Sequence, residues 1–304
     1  MSGKIMKMLL AGSAVGGVSV SAGAAHLAKN IVFPRTFSLE EEKKWMIEHA
    51  LWGDYDQIPR TKYTVAGKDG YILHCEYVEA NPGSRKFVIL THGYTSNRYG
   101  SVKYLGVYRR LGFNCVLYDC RGHGENESVP CSIGNLEAQD LLSVIRDTYE
   151  RYGEEIELGL HGESMGSATS LSVLKYQPKV RFVVADCGFT CLYDLIGTLY
   201  RSRHVGFLLD PVNRMMEMKY HFNMKQTCPR DALKDNQVPL CLIHGTSDTL
   251  IAPENSDALA AATAGYQEVH KVEGAEHACS RYILGETAYM EIVKAFLEHI
   301  QDPL

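Results

Sequence analysis

The sequence has no C-x-x-C pair, no long basic run and no acidic residue before Glu40. Zinc sites and disulfide-stapled small domains cluster their cysteines at short fixed spacings. The nine cysteines here (Cys75, Cys115, Cys120, Cys131, Cys187, Cys191, Cys228, Cys241 and Cys279) are odd in number and scattered. They are expected to be buried free thiols acting as small hydrophobes, which fits a reducing compartment. Lys and Arg number 31 against 36 Asp and Glu, a formal net charge of -5. A nucleic-acid binder would carry a basic footprint, and none is present. Hydrophobic residues make up 45% and charged residues 22% of the 304, which excludes a disordered, collagen-like or coiled-coil chain. One large globular domain or two small ones remain.

Residues 8–28, between Lys7 and Lys29, carry no charged side chain. At 1.5 Å per residue such an interval just crosses a ~30 Å hydrocarbon layer. Gly12, Gly16, Gly17 and Gly23, with Ser13, Ser19 and Ser21, dilute its apolarity, and His26 sits near its end. The readings are an uncleaved membrane anchor, a signal peptide cut after Ala22-Gly23-Ala24, and a small-residue helix or tail. The anchor is the favoured expectation. It makes residues 1–37 an N-terminal segment and 38–304 the folded domain. Lys4 and Lys7 before the interval balance Lys29 and Arg35 after it, so the charge rule does not choose a side of the membrane. The alternatives are a secreted or a cytoplasmic protein.

Ser38-Leu39-Glu40-Glu41 has the form of a capping box and predicts a helix to about Leu51. Residues 63–66 and 71–78, around Gly67-Lys68-Asp69-Gly70, read as a hairpin. Short β-branched runs follow at 87–90, 115–118, 156–160, 182–185 and 240–243, and 267–272 alternates. Helical stretches are expected between and after them, at 99–111, 136–152, 165–176, 254–264 and 286–300. In 136–152, Leu141, Leu142, Ile145 and Tyr149 recur at the spacing of one buried helix face. The alternation predicts an α/β domain, a mixed and mostly parallel sheet with helices on both faces. Residues 189–237 separate two strands by far more than the usual ~2 to 6 residues and are read as an insertion.

The strand at 156–160 runs into His161-Gly162-Glu163-Ser164-Met165-Gly166, after which a helix begins. This is G-x-S-x-G between strand and helix, where the glycines permit a strained turn that exposes the serine hydroxyl. A serine needs an imidazole to take its proton and a carboxylate to fix the imidazole tautomer. Asp248, in His244-Gly245-Thr246-Ser247-Asp248, and His277, in Gly274-Ala275-Glu276-His277-Ala278, follow the next two strands in that order. Asp119 and Asp186 compete as the acid. His92, His123 and His161 compete as the base.

Together with His92-Gly93-Tyr94 and Asp119-Cys120-Arg121-Gly122-His123-Gly124, these motifs resemble the α/β-hydrolase-fold serine hydrolases over residues 63–300. Within them the chain is similar to a bacterial branch with an N-terminal hydrophobic segment. The resemblance implies a Ser164–His277–Asp248 catalytic triad, and an oxyanion hole formed by the backbone N–H groups of Tyr94 and Met165. It also implies a helical cap at about 189–237, with Tyr200, Phe207 and Met215 as candidate substrate contacts, and neither a metal nor an organic cofactor.

The function expected from these residues is hydrolysis of small-molecule carboxylic esters through an acyl-enzyme. A peptidase or amidase on the same triad, and a membrane-tethered binding module without catalysis, are the alternatives. Haloalkane dehalogenase chemistry is disfavoured, because the turn carries serine where that chemistry uses a carboxylate.

Overall fold

Successive side chains of a strand point to opposite faces of its sheet, and in the central strands both sets are apolar. Ile89, Val116, Leu158, Leu160, Val183 and Leu242 enter one buried cluster, while Val88, Leu90, Leu117, Val184 and Ile243 enter the other. A sheet apolar on both faces must be covered on both. The computed structural model, which describes residues 20–301, shows that arrangement.

The eight strands are β1 (Arg60–Ala66), β2 (Ile72–Val78), β3 (Lys86–Thr91), β4 (Asn114–Tyr118), β5 (Glu157–Glu163), β6 (Val183–Asp186), β7 (Leu240–Gly245) and β8 (Gln267–Val272), in the order β1-β2-β4-β3-β5-β6-β7-β8. β2 pairs antiparallel with β1 and β4, and every other neighbour is parallel.

The helices are α1 (Val20–Val32), α2 (Leu39–Glu48), α3 (Leu105–Arg110), α4 (Leu136–Tyr152), α5 (Met165–Ser172), α6 (Leu192–Ser202), α7 (Leu209–Tyr220), α8 (Pro229–Ala232), α9 (Glu254–Ala260) and α10 (Ser280–Gln301). The first cluster is covered by α1, α4, α5, α6, α7 and α9, and the second by α2, α3 and α10. Ser38 and Glu41 form the reciprocal capping box at the start of α2. Two helices differ from expectation. Residues 98–104 form a 3-10 turn before α3, and α10 begins at Ser280 but breaks at Gly285, whose φ is 71°.

The segment between β6 and β7 carries α6, α7 and α8. Its two ends meet where the Leu192 amide donates to the Thr227 carbonyl at 2.9 Å. Beside that bond Cys191 and Cys228, 37 residues apart, form a disulfide. This corrects the expectation of nine free thiols. Of the seven free cysteines, all but Cys279 are buried.

Only part of the N-terminal apolar interval lies within the described residues. Residues 8–19 lie outside the described residues, but the rest of it belongs to α1. There Ala24, Leu27, Ala28, Ile31 and Val32 are buried in protein rather than facing lipid. Phe33 meets Tyr220 of α7 edge-on at 5.7 Å. Tyr94 Oη donates to the Ile31 carbonyl at 2.7 Å, and the Cys131 amide to the Val32 carbonyl at 2.8 Å. Part of the expected N-terminal segment 1–37 thus packs against the domain expected at 38–304. No helix among the described residues is long and apolar enough to cross a membrane.

A chain starting at Thr36 should be destabilised, because burying a Leu, Ile or Val side chain contributes roughly 1.5 to 3 kcal/mol and three are lost with α1. Thermal unfolding should show a Tm lower by about 10 °C or more. An unchanged Tm would mean that α1 is only loosely applied.

Candidate active site

Ser164 sits at the turn from β5 into α5 with φ 55° and ψ -114°, a backbone conformation costly for any residue with a side chain. The flanking glycines make the turn possible. A Cβ on Gly162 would lie 2.1 Å from the Gly166 carbonyl oxygen, and a Cβ on Gly166 would lie 2.1 Å from that of Thr91. The Ser164 amide donates to the Asp186 carbonyl at 2.9 Å, which pins the turn to β6.

The loops after β7 and β8 bring the other two residues to this turn. His277 Nε2 lies 2.9 Å from Ser164 Oγ, and His277 Nδ1 lies 2.7 Å from Asp248 Oδ2. Asp248 Oδ1 accepts the amides of Leu250 and Ile251, each at 2.9 Å. His244 Nε2 donates to the Ile251 carbonyl at 2.9 Å and lies 3.3 Å from Asp248 Oδ2. Burial alone would raise the pKa of Asp248. Hydrogen bonds from His244, His277 and the Ile251 amide outweigh it and hold the carboxyl well below the usual range. An ionised Asp248 accepts from Nδ1–H, which leaves Nε2 unprotonated and able to take the serine proton.

The competing residues are engaged elsewhere. His92 bonds the Gly93 carbonyl and the Cys120 amide, and His161 bonds Tyr108. Burial lowers both to about 3, so they stay neutral. His123 bonds the Arg121 carbonyl. Asp119 pairs with Arg98, and Asp186 accepts from Ser280 at 2.9 Å and Tyr289 at 3.1 Å.

Gly93 passes against the serine, since a Cβ there would be 3.6 Å from Ser164 Cβ. Tyr94 and Met165 line a cavity of about 40 Å³ with Ser164, Ile133, Leu250 and Ile251. The insertion closes it with Phe189 and with Leu192, Leu195 and Ile196 of α6, spaced i, i+3, i+4 along one helix face. The candidate contacts Tyr200, Phe207 and Met215 do not line it. Tyr200 lies two turns further along α6 and is buried in the core, Phe207 is 68% exposed in the turn before α7, and Met215 packs on the apolar cluster. The apolar pattern marked all of these as insertion residues, but only Phe189 and the N-terminal part of α6 line the serine cavity.

Two neighbours were not singled out by sequence. Cys187 offers Sγ within 4.8 Å of the Asp248 and His277 ligand atoms. It makes no persuasive metal site, because Asp248 and His277 are already hydrogen-bonded to each other and burial holds the thiol protonated. Lys103 is buried and ion-pairs with Glu163, the residue before the serine, while its Nζ donates to the carbonyl of Ala278, the residue after His277, at 3.4 Å. Tyr104 Oη donates to Glu163 at 2.5 Å. Burial would lower the Lys103 pKa, but the Glu163 carboxylate outweighs it and keeps the ammonium charged. A single lysine in a helical stretch carries no sequence signal for such a role.

An esterase from Pyrococcus furiosus is similar in structure, with a TM-score of 0.64 at 22% identity over 82% of this chain and 94% of its own. This is the α/β-hydrolase fold. A second α/β-hydrolase-like match, to a Pyrococcus horikoshii acylaminoacyl peptidase, has a TM-score of 0.60 at 16% identity over 80% of this chain and 41% of that one. The profile of the family described as serine aminopeptidase, S33, matches residues 82–189. In sequence, the Bacillus subtilis (strain 168) protein YqkD is 26% identical over 259 residues, covering 84% of each chain. Alpha/beta hydrolase domain-containing protein 17C of Xenopus tropicalis is 28% identical over 232 residues, 76% of this chain and 67% of that protein.

Proposed function

We propose that this α/β-hydrolase is a serine hydrolase that cleaves carboxylic esters through an acyl-enzyme. The observation that carries the reading is the continuous hydrogen-bond chain Ser164–His277–Asp248 at a strained strand-to-helix turn. Ser164 Oγ attacks the ester carbonyl as His277 Nε2 removes its proton, and Asp248 stabilises the imidazolium. The tetrahedral oxyanion is held by the N–H groups of Tyr94 and Met165, the second of which starts α5 and has no partner within that helix. His277 then donates its proton to the leaving alcohol, and water repeats the sequence to release the acid.

The eight apolar residues around the cavity favour an uncharged acyl group, and its volume of about 40 Å³ favours a short one. Each newly buried methylene contributes up to ~0.8 kcal/mol. Across p-nitrophenyl esters, kcat/KM should therefore rise from acetate to butyrate by several-fold and fall again before decanoate. A steady decline from acetate onward would contradict an acyl-binding role for this cavity.

The amidase alternative draws support from the S33 profile and the peptidase neighbour. Aminoacyl p-nitroanilides assayed beside the esters separate the two, since an ester hydrolase should prefer the esters by orders of magnitude. Association with a membrane through residues preceding α1, and the side it would face, remain part of the proposal, tested by fractionating the full chain.

A further inference from the structure

A second, larger cavity of about 460 Å³ lies beyond Lys103, between the 50–58 loop, α3 and the start of α10. Neither Ser164, Asp248 nor His277 lines it. Its apolar wall is Leu51, Trp52, Ile58, Val102 and Leu105, and its cationic wall is Arg109, Arg110 and Arg281. Lys103 also borders it, but its ammonium is taken by Glu163.

The three guanidinium groups share two carboxylates. Arg109 pairs with Asp54 at 2.5 Å, whereas Arg110 and Arg281 both turn to Glu286, at 3.9 Å and 2.9 Å. One positive charge is left uncompensated. Arg281 is the buried member, 7% exposed. Its Nε donates to the Lys103 carbonyl at 3.1 Å and its Nη2 to Glu286, while Nη1 has no hydrogen-bond partner among the described residues. Burial also pulls its pKa down against the pull of Glu286. With no partner among the described residues and with solvent access, Arg281 Nη1 is free to donate to an anion in the cavity, and the planar fork of the guanidinium matches a carboxylate. The volume falls in the range of small-molecule sites.

We propose that this cavity is a second binding site, for a carboxylate amphiphile whose head pairs with Arg281 and Arg110 and whose short alkyl or aromatic tail lies on Trp52, Leu51 and Leu105. A surplus of one charge matches a monovalent carboxylate, and the apolar wall requires more than a bare anion. The site stands independently of the chemistry at Ser164, because its test reads binding and not turnover.

The test is calorimetric titration of the full chain with octanoate, with acetate (the same head without the tail) and octylammonium (the same tail with the opposite charge) as controls. Octanoate should saturate at one site, and neither control should. Arg281→Gln should weaken octanoate at least tenfold. Arg110→Gln, at an exposed position, should weaken it several-fold with an unchanged Tm, so the result stands even if the Arg281 variant misfolds. No saturable octanoate binding, equal binding to the Arg110 variant, or octylammonium binding as tightly would overturn the proposal.

Discussion

Ser164→Ala should lower kcat for short p-nitrophenyl esters by about 10⁴- to 10⁶-fold, the range seen when a serine nucleophile is removed from an intact site. Nothing else in the cavity can replace it. Apart from Ser164 and Tyr94, whose hydroxyl is bound to the Ile31 carbonyl, its lining side chains are apolar, and Cys187, beside Asp248 and His277, is buried and held protonated. The residual rate should come from the Tyr94 and Met165 amides, which the substitution leaves in place. Stability should barely change, because among the described residues the only side-chain hydrogen bond lost is the one to His277, and alanine suffers the same backbone strain at φ 55° as serine. Loss of the thermal transition together with activity would point to misfolding, and near-wild-type turnover would remove Ser164 from the mechanism.

Asp248→Asn should cost about 10⁴-fold in kcat with little change in KM. The reason lies in how the carboxylate is held. Oδ1 accepts two backbone amides, from Leu250 and Ile251, while Oδ2 accepts from His277 Nδ1. In asparagine only one terminal atom is an acceptor, and the two amides will claim it. The NH₂ group then faces His277 and selects the tautomer with its proton on Nε2, which cannot accept a proton from Ser164. The packing survives and the base is disabled. A loss of less than tenfold would show that Asp248 does not orient His277.

How much of this was readable in the sequence depends on the range over which each signal acts. Strand positions followed from β-branched runs, because both faces of this sheet are buried and the local pattern reports it directly. The meeting of Ser164, Asp248 and His277 was readable because each lies just beyond a strand of one parallel sheet, whose carboxyl ends share an edge. Contacts between distant surface elements left no such trace. Cys191 and Cys228 are brought together only by the return of a 37-residue excursion. The uncharged run at 8–28 favoured a membrane anchor, and the bonds from Tyr94 and Cys131 that pack the α1 end onto the domain are tertiary and leave no local trace. Likewise the hydrophobic residues of the insertion were visible, but not that only Leu192, Leu195 and Ile196 of α6 turn toward the serine.

The central claim is that His277 and the strained turn make Ser164 a nucleophile. Intact-mass measurement of the full chain treated with a fluorophosphonate tests this most directly, since the reagent phosphonylates an activated serine with loss of fluoride. The account predicts one adduct per chain, mapped by peptide sequencing to Ser164, absent from Ser164→Ala and strongly slowed in His277→Ala. An unlabelled wild-type protein, or an adduct that persists in Ser164→Ala, would contradict it.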